Sequence, residues 1–289
     1  MRITQQMTSN TLKRSVFRQS ADLLRKQEIL ASGKRINRPS DDPIGTGKIL
    51  DYRKSLAAFE QYGRNSQQAK NRIKFMETTL ESVGELVVDA KNWAVNQSGS
   101  VATDRDAAIS SVQNIRDQVL QLANSRIGNN YIFSGYQTNT APFDSTGAYL
   151  GDNGDYRVMT GNNMETRIEA DGSRIFQGAD DVFAALEDLL TGLQTDDVAL
   201  ISAQVDRLVA VQDQLQLVRA ESSAHYQQLE LGENQMARLK LTVEDLLAST
   251  ENAPMESAIL ELQSQETAYQ ITLETSARII QPTLMNFLR

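Results

Sequence analysis

Residues 52–94 read YRKSLAAFEQYGRNSQQAKNRIKFMETTLESVGELVVDAKNWA. Within them Tyr52, Ser55, Phe59, Tyr62, Ser66, Ala69, Ile73, Met76, Leu80, Val83, Val87, Ala90 and Ala94 recur at alternating steps of three and four. A helix turns once every 3.6 residues, so this spacing keeps small and apolar side chains on one side through six heptads. It predicts a seam about 65 Å long, at about 1.5 Å per residue. A second run answers it between Asp196 and Thr250, where Leu208, Val211, Leu215, Val218, Leu229, Met236, Leu239, Val243 and Leu246 keep the same period. Two long helices with matching seams predict antiparallel neighbours, one leading out and one returning.

The chain between them changes character. Ala108, Val112, Ile115, Val119 and Leu122 predict a short helix, and at Gly128 the helical period stops. Gly, Asn and Asp then alternate with short aromatic and β-branched runs, the pattern of hairpins and turns. Helix resumes near Asp181. The expected fold class is mainly α: an elongated antiparallel coiled-coil rod with a small β-rich insertion. Its parts are an N-terminal helix and joint over 1–43, the first half of the rod over 44–130 and the insertion over 131–180. The returning half follows over 181–252, and a C-terminal helix over 253–289.

Composition agrees with thin seams. Of 289 residues 40% are hydrophobic and 6% aromatic, which is little for a single thick core. There is no cysteine, so neither disulfides nor thiolate metal sites are available. MRITQQMTSNTLKRSVF lacks the apolar run of a signal peptide, and no stretch reaches the roughly 18 apolar residues of a membrane span. The net charge of −8 is uneven: residues 1–74 hold 16 Lys/Arg against 6 Asp/Glu, and the remainder 13 against 31. A basic arm raises the question of nucleic acid. Its cations are scattered among Gln and Ser with no dense block, so we read it as complementary to acidic segments of the same assembly.

The terminal segments carry weaker stripes. Over 3–31, Ile3, Met7, Phe17, Ala21 and Leu24 follow one face, and Leu12, Val16, Leu23 and Leu30 another. An isolated helix so thinly apolar is marginal, so it needs partners on two sides. At the other end Ile259, Leu262, Tyr269, Leu273, Ile280, Leu284 and Phe287 run to the C-terminus, with Pro282 expected to kink the helix. ASGKRINRPSDDP (31–43) lies between the first two helices. Gly33 reads as a C-terminal cap, and Asp42 with Pro43 as an N-cap followed by proline at the first helical position.

The motifs that suggest chemistry are each incomplete. GTGK at 45–48 lacks the spacing of a phosphate loop, with Ile49 where a hydroxyl should bind magnesium. The single histidine, His225, has no second His or Cys to join it, and GDNGD (151–155) lacks the ligand pattern of a calcium loop. Asp41 and Asp42 precede a helix start, where the helix dipole favours carboxylates, so capping is preferred to acid–base catalysis. The residues predict no catalytic, cofactor-binding or metal site.

LASGKRINRPSDDPIGTGKIL (30–50) resembles the N-terminal signature of the bacterial flagellin family, in which Leu, Ser-Gly, Arg-Ile-Asn and Asp-Asp-Pro occur in this order. AYQITLETSARIIQPTLMNFLR (268–289) resembles that family's C-terminal helix. MRITQQM, and YIFSGYQTNTAPF followed by YLGDNGDYRV, look more like a junction member between hook and filament than like the filament subunit. The resemblance covers roughly residues 1–140 and 200–289. It implies a structural, non-enzymatic, extracellular part of the flagellum, a ring of identical copies on which flagellin polymerises. The implied partners are the chain itself, a second hook-associated junction protein, flagellin, an export chaperone and the flagellar secretion apparatus. Terminal helices disordered in the monomer would pair on assembly, and Ile3, Met7, Phe17, Leu24, Tyr269, Leu273, Ile280, Leu284 and Phe287 would form the interface. Gly33, Lys34, Arg35, Arg38, Asp41, Asp42 and Pro43 would set the joint and touch neighbouring subunits. The alternatives are filament flagellin itself, a cytoplasmic coiled-coil or nucleic-acid protein using the basic arm, and an enzyme carried on this scaffold. The last lacks any His or Cys over 131–178.

Overall fold

The seam of residues 52–94 lies on one uninterrupted helix, α2 (Pro43–Gln97), and its partner on another, α6 (Val198–Glu251). The computed structural model describes residues 5–99, 104–154, 156–162, 164–168 and 171–280. The other helices are α1 (Gln5–Ser32), α3 (Arg105–Ala123), α4 (Gly172–Phe176), α5 (Val182–Thr195) and α7 (Met255–Ile280). Among the described residues four short strands lie between α3 and α4: β1 (Arg126–Ile127), β2 (Asn130–Tyr131), β3 (Tyr156–Gly161) and β4 (Met164–Ile168). They form two antiparallel pairs, β1–β2 and β3–β4, the second with a bulge between Met159 and Gly161. The fold is mainly α with a small β insertion.

The chain divides into two compact units, residues 1–58 with 238–289, and residues 59–237. The second contains nearly all of the core. Ser66, Ala69, Ile73, Met76, Leu80, Val83, Val87, Ala90 and Ala94 are buried one after another along α2, as their spacing predicts. Leu208, Val211, Leu215, Val218 and Leu229 are buried on α6, whereas Leu239 and Leu246, which fall in the first unit, are exposed. A heptad seam is buried only where something covers it. In the second unit Ala108, Val112, Ile115 and Val119 of α3 and Leu186, Leu189 and Leu193 of α5 share one core with the two long helices.

The insertion differs from its sequence reading in two ways. Residues 172–176 are helical, because Asp171 caps them by accepting from the backbone N–H groups of Ser173 and Arg174. Its aromatic residues also belong to the helical core. Phe143 lies 5.3 Å from Phe176 and 5.2 Å from Phe183, ring centroid to ring centroid, and Phe133 meets Phe176 edge-on at 5.2 Å. Tyr149 closes this knot, its hydroxyl donating to the Asp152 carbonyl at 2.8 Å. Burial pushes that phenol up to about 12. Buried Gln214 serves the adjoining turn, accepting from the Ala179 N–H at 2.6 Å and donating to the Ile175 carbonyl at 2.8 Å. A smaller cluster seats the β3–β4 hairpin, with Val158 and Ile168 on Ala69, Ile73 and Leu229. Among the described residues no helix is long and apolar enough to cross a membrane.

Candidate assembly site at the terminal helices and their joint

In the first unit α1 and α7 pair antiparallel. Gln265 Nε2 donates to Gln19 Oε1 at 2.6 Å, and Lys26 forms an ion pair with Glu261, so residue numbers rise on one helix as they fall on the other. The inward face of α1 consists of Leu12, Val16, Leu23 and Leu30, all half-buried. At about 100° per residue the other stripe falls on the far side. There Met7 is 61% exposed, Phe17 74% and Leu24 62%. On α7 Tyr269 is half-buried and Leu273 is 42% exposed, with Ile259, Leu260 and Ile271 also open. Ile280 closes α7. Ile3, Pro282, Leu284 and Phe287 lie outside the described residues.

The joint is built from the seven residues singled out in the sequence and from others that are not evident there. Gly33 ends α1 in the left-handed region (φ +68°), its N–H donating to the Ile29 carbonyl at 2.9 Å. The chain then runs beside the α6–α7 break: Arg35 N–H donates to the Glu251 carbonyl (2.7 Å), and Ala253 N–H to the Gly33 carbonyl (2.9 Å). Asp42 caps α2, accepting from the Gly45 N–H at 2.8 Å, and Pro43 is the first helical residue. A Cβ on Gly45 would lie 2.5 Å from Asp42 Oδ2 and 2.6 Å from Ile36 Cδ1. The glycine of this first turn therefore lets the cap and buried Ile36 close over the helix.

The charged side chains of the joint are held within the chain. Glu251, only 8% exposed at its side chain, meets Lys34 Nζ and Arg53 Nη2, each at 2.6 Å. Arg38 Nη2 reaches both oxygens of Glu28, at 3.1 and 3.0 Å, and Arg35 Nη2 donates to the Thr250 carbonyl at 3.0 Å. Asp41 Oδ2 accepts from the backbone N–H groups of Arg38 (3.0 Å) and Asn37 (3.2 Å), while Oδ1 accepts from Arg25 Nη2 (2.6 Å). Glu251 and Gly45 carry as much of this geometry as the residues read from sequence. Glu251 could have been noticed as the carboxylate directly before the Asn252-Ala253-Pro254 break. The expected complementarity of the basic arm is partly visible, since Lys26, Lys34 and Arg53 all find carboxylates of residues 251–261.

The hydrogen bond from Arg38, helped by that from Asn37 and by the charge of Arg25, holds the Asp41 carboxyl below the usual carboxylate range against the opposing effect of burial. A depressed folded value means that the stabilisation is complete above the unfolded value of about 3.9 and is lost as pH falls through the folded one. In an NMR titration the Asn37 and Arg38 amide shifts should therefore move with a midpoint below the ordinary Asp value. Movement centred at or above the ordinary Asp value would contradict this geometry.

Among the described residues no group of three or more His, Cys, Asp or Glu could hold a metal ion. The site consists instead of paired terminal helices, a pinned joint and apolar side chains facing outward. Residues 3–138 of this helical chain match the bacterial flagellin N-terminal helical region. The chain is similar to flagellar hook-associated protein 3 of Escherichia coli K12, 27% identical over 93% of this chain and 95% of that protein. The protein of the same name from Salmonella typhimurium is 34% identical over 52% of this chain and 49% of its own length. A solved Vibrio parahaemolyticus chain described as a flagellar hook-associated protein shares the fold, with a TM-score of 0.68 at 21% identity. That match covers 73% of this chain and 100% of the other.

Proposed function

We propose that the chain is an adaptor subunit of the bacterial flagellum whose copies form a ring at the hook–filament junction, on which flagellin polymerises. The observation that carries this reading is the imbalance of the first unit. Among its described residues Ile36, Ile49 and Ala258 are the buried hydrophobic ones. Thirteen large hydrophobic residues of the same unit are exposed, enough to require cover from outside the chain. In the assembled state Met7, Phe17, Leu24 and Leu273 meet neighbouring copies, the second hook-associated junction protein or flagellin. Lys34, Arg35 and Arg38 are free to contact a neighbour with the exposed parts of their side chains while holding the joint. Before assembly an export chaperone covers the C-terminal segment until the secretion apparatus takes the chain. Similarity to chains named flagellar hook-associated protein 3 supports the junction role.

Electron microscopy of a strain lacking this chain tests it. The expected result is bare hooks with flagellin lost to the medium. Bare hooks with no flagellin in the medium would identify the filament subunit instead, and attached filaments would remove the chain from this pathway.

A further inference from the structure

A groove of about 800 Å³ lies in the second unit between α2 and the β1–β2 segment. Arg64, Arg72, Phe75, Ile127 and Tyr136 line it, and among the described residues no Asp or Glu does. Ten arginines elsewhere in the described chain pair with carboxylates, whereas Arg64 and Arg72 do not. Arg64 Nη2 donates to Gln61 Oε1 at 2.6 Å. Arg72 donates to the Ile132 carbonyl at 2.8 Å and lies 5.0 Å from the Tyr156 ring centroid. Its Nε is buried without a hydrogen-bond partner, and burial pulls the guanidinium below its usual value. Phe75, Ile127 and Tyr136 are each at least 40% exposed around these cations. Aromatic residues and arginine are enriched in interface cores.

The complementary surface lies on α6 of the same unit. Asp206, Val209, Asp213 and Leu217 are exposed at steps of three and four, on one face. The adjoining cations are engaged elsewhere, Arg207 with Asp180 and Asp188 and Arg219 with Glu81. No cation pairs with Asp206 or Asp213 among the described residues. One surface thus offers two cations and apolar rings, the other two anions and apolar side chains.

We propose that the groove of one copy receives the Asp206–Leu217 face of a second copy, with Arg64 meeting Asp213 and Arg72 meeting Asp206. Because the two surfaces differ, the contact is head-to-tail, and repetition of it builds a ring or helix rather than a closed pair. The contact deepens the junction reading and rests on it.

The chain has no cysteine, so introduced thiols report on this contact alone. Full-length chains carrying Gln68→Cys in the groove and Ala210→Cys on the α6 face are expressed in the strain lacking the native chain, and isolated flagella are oxidised. The double variant should give a ladder of covalent multimers, and the two single variants expressed together should stop at dimers. Filament-bearing flagella that yield only monomers would overturn the contact and leave the junction role standing. Filaments attached in the absence of the chain would overturn the role itself. A charge exchange gives the second arm. Arg64→Glu and Asp213→Arg should each cut the number of filament-bearing hooks at least tenfold, and the two together should restore it. A double variant no better than either single one excludes the pairing.

Discussion

Removal of residues 260–289 should abolish filament attachment while leaving a soluble, helical chain. The deletion takes most of α7, including Tyr269, Ile271 and Leu273, and uncovers the α1 face of Leu12, Val16 and Leu23. Helices as thin in apolar content as α1 do not persist alone, so its stripe of Met7, Phe17 and Leu24 loses its scaffold as well. The core of the second unit contains no residue beyond Leu229, and it should survive. Circular dichroism of the truncated chain should show a helical protein with a cooperative melt close to that of the full chain. Electron micrographs should show hooks without filaments. Normal filaments on hooks bearing the truncated chain would refute the assembly role given to α7.

The two outcomes separate because the units are stabilised differently, and the sequence shows only part of that difference. The α2 seam from Ser66 to Ala94 was legible residue by residue, since a period of 3.5 is a local signal that any covering element can satisfy. The stripes of α1 were legible too, but not their assignment. Both faces have similar apolar content, and only the pairing with α7 turns Leu12, Val16, Leu23 and Leu30 inward and leaves Met7, Phe17 and Leu24 outside. Glu251 was hidden for another reason. Its two cations come from Lys34 and Arg53, about two hundred positions away, and no periodicity connects them. Gly45 looked like a piece of a phosphate loop, whereas its role is the close approach of Ile36 and Asp42. The aromatic knot was the largest omission, because Phe133 and Phe143 lie in irregular chain whose course is set by tertiary packing.

That knot carries the largest expected loss of stability. Phe176 is fully buried and touches Phe133, Phe143 and Phe183, at centroid distances of 5.2, 5.3 and 6.1 Å. Phe176→Ala removes the transfer energy of the ring and leaves a cavity that the long helices cannot collapse to fill, a cost of about 3–5 kcal/mol. The edge-on contacts contribute within that figure, about 0.5–1.5 kcal/mol for each aromatic pair. Chemical denaturation followed by circular dichroism should show the unfolding free energy of the second unit falling by that amount. Phe17→Ala is the matching control. Phe17 is 74% exposed, so the same truncation should change monomer stability by no more than about 0.5 kcal/mol. If Phe17 belongs to the assembly face, its loss should instead reduce the fraction of hooks that carry filaments. A Phe17→Ala chain that is both stable and fully competent in attachment would exclude that side chain from the interface, and a Phe176→Ala chain of unchanged stability would contradict the packing of the knot.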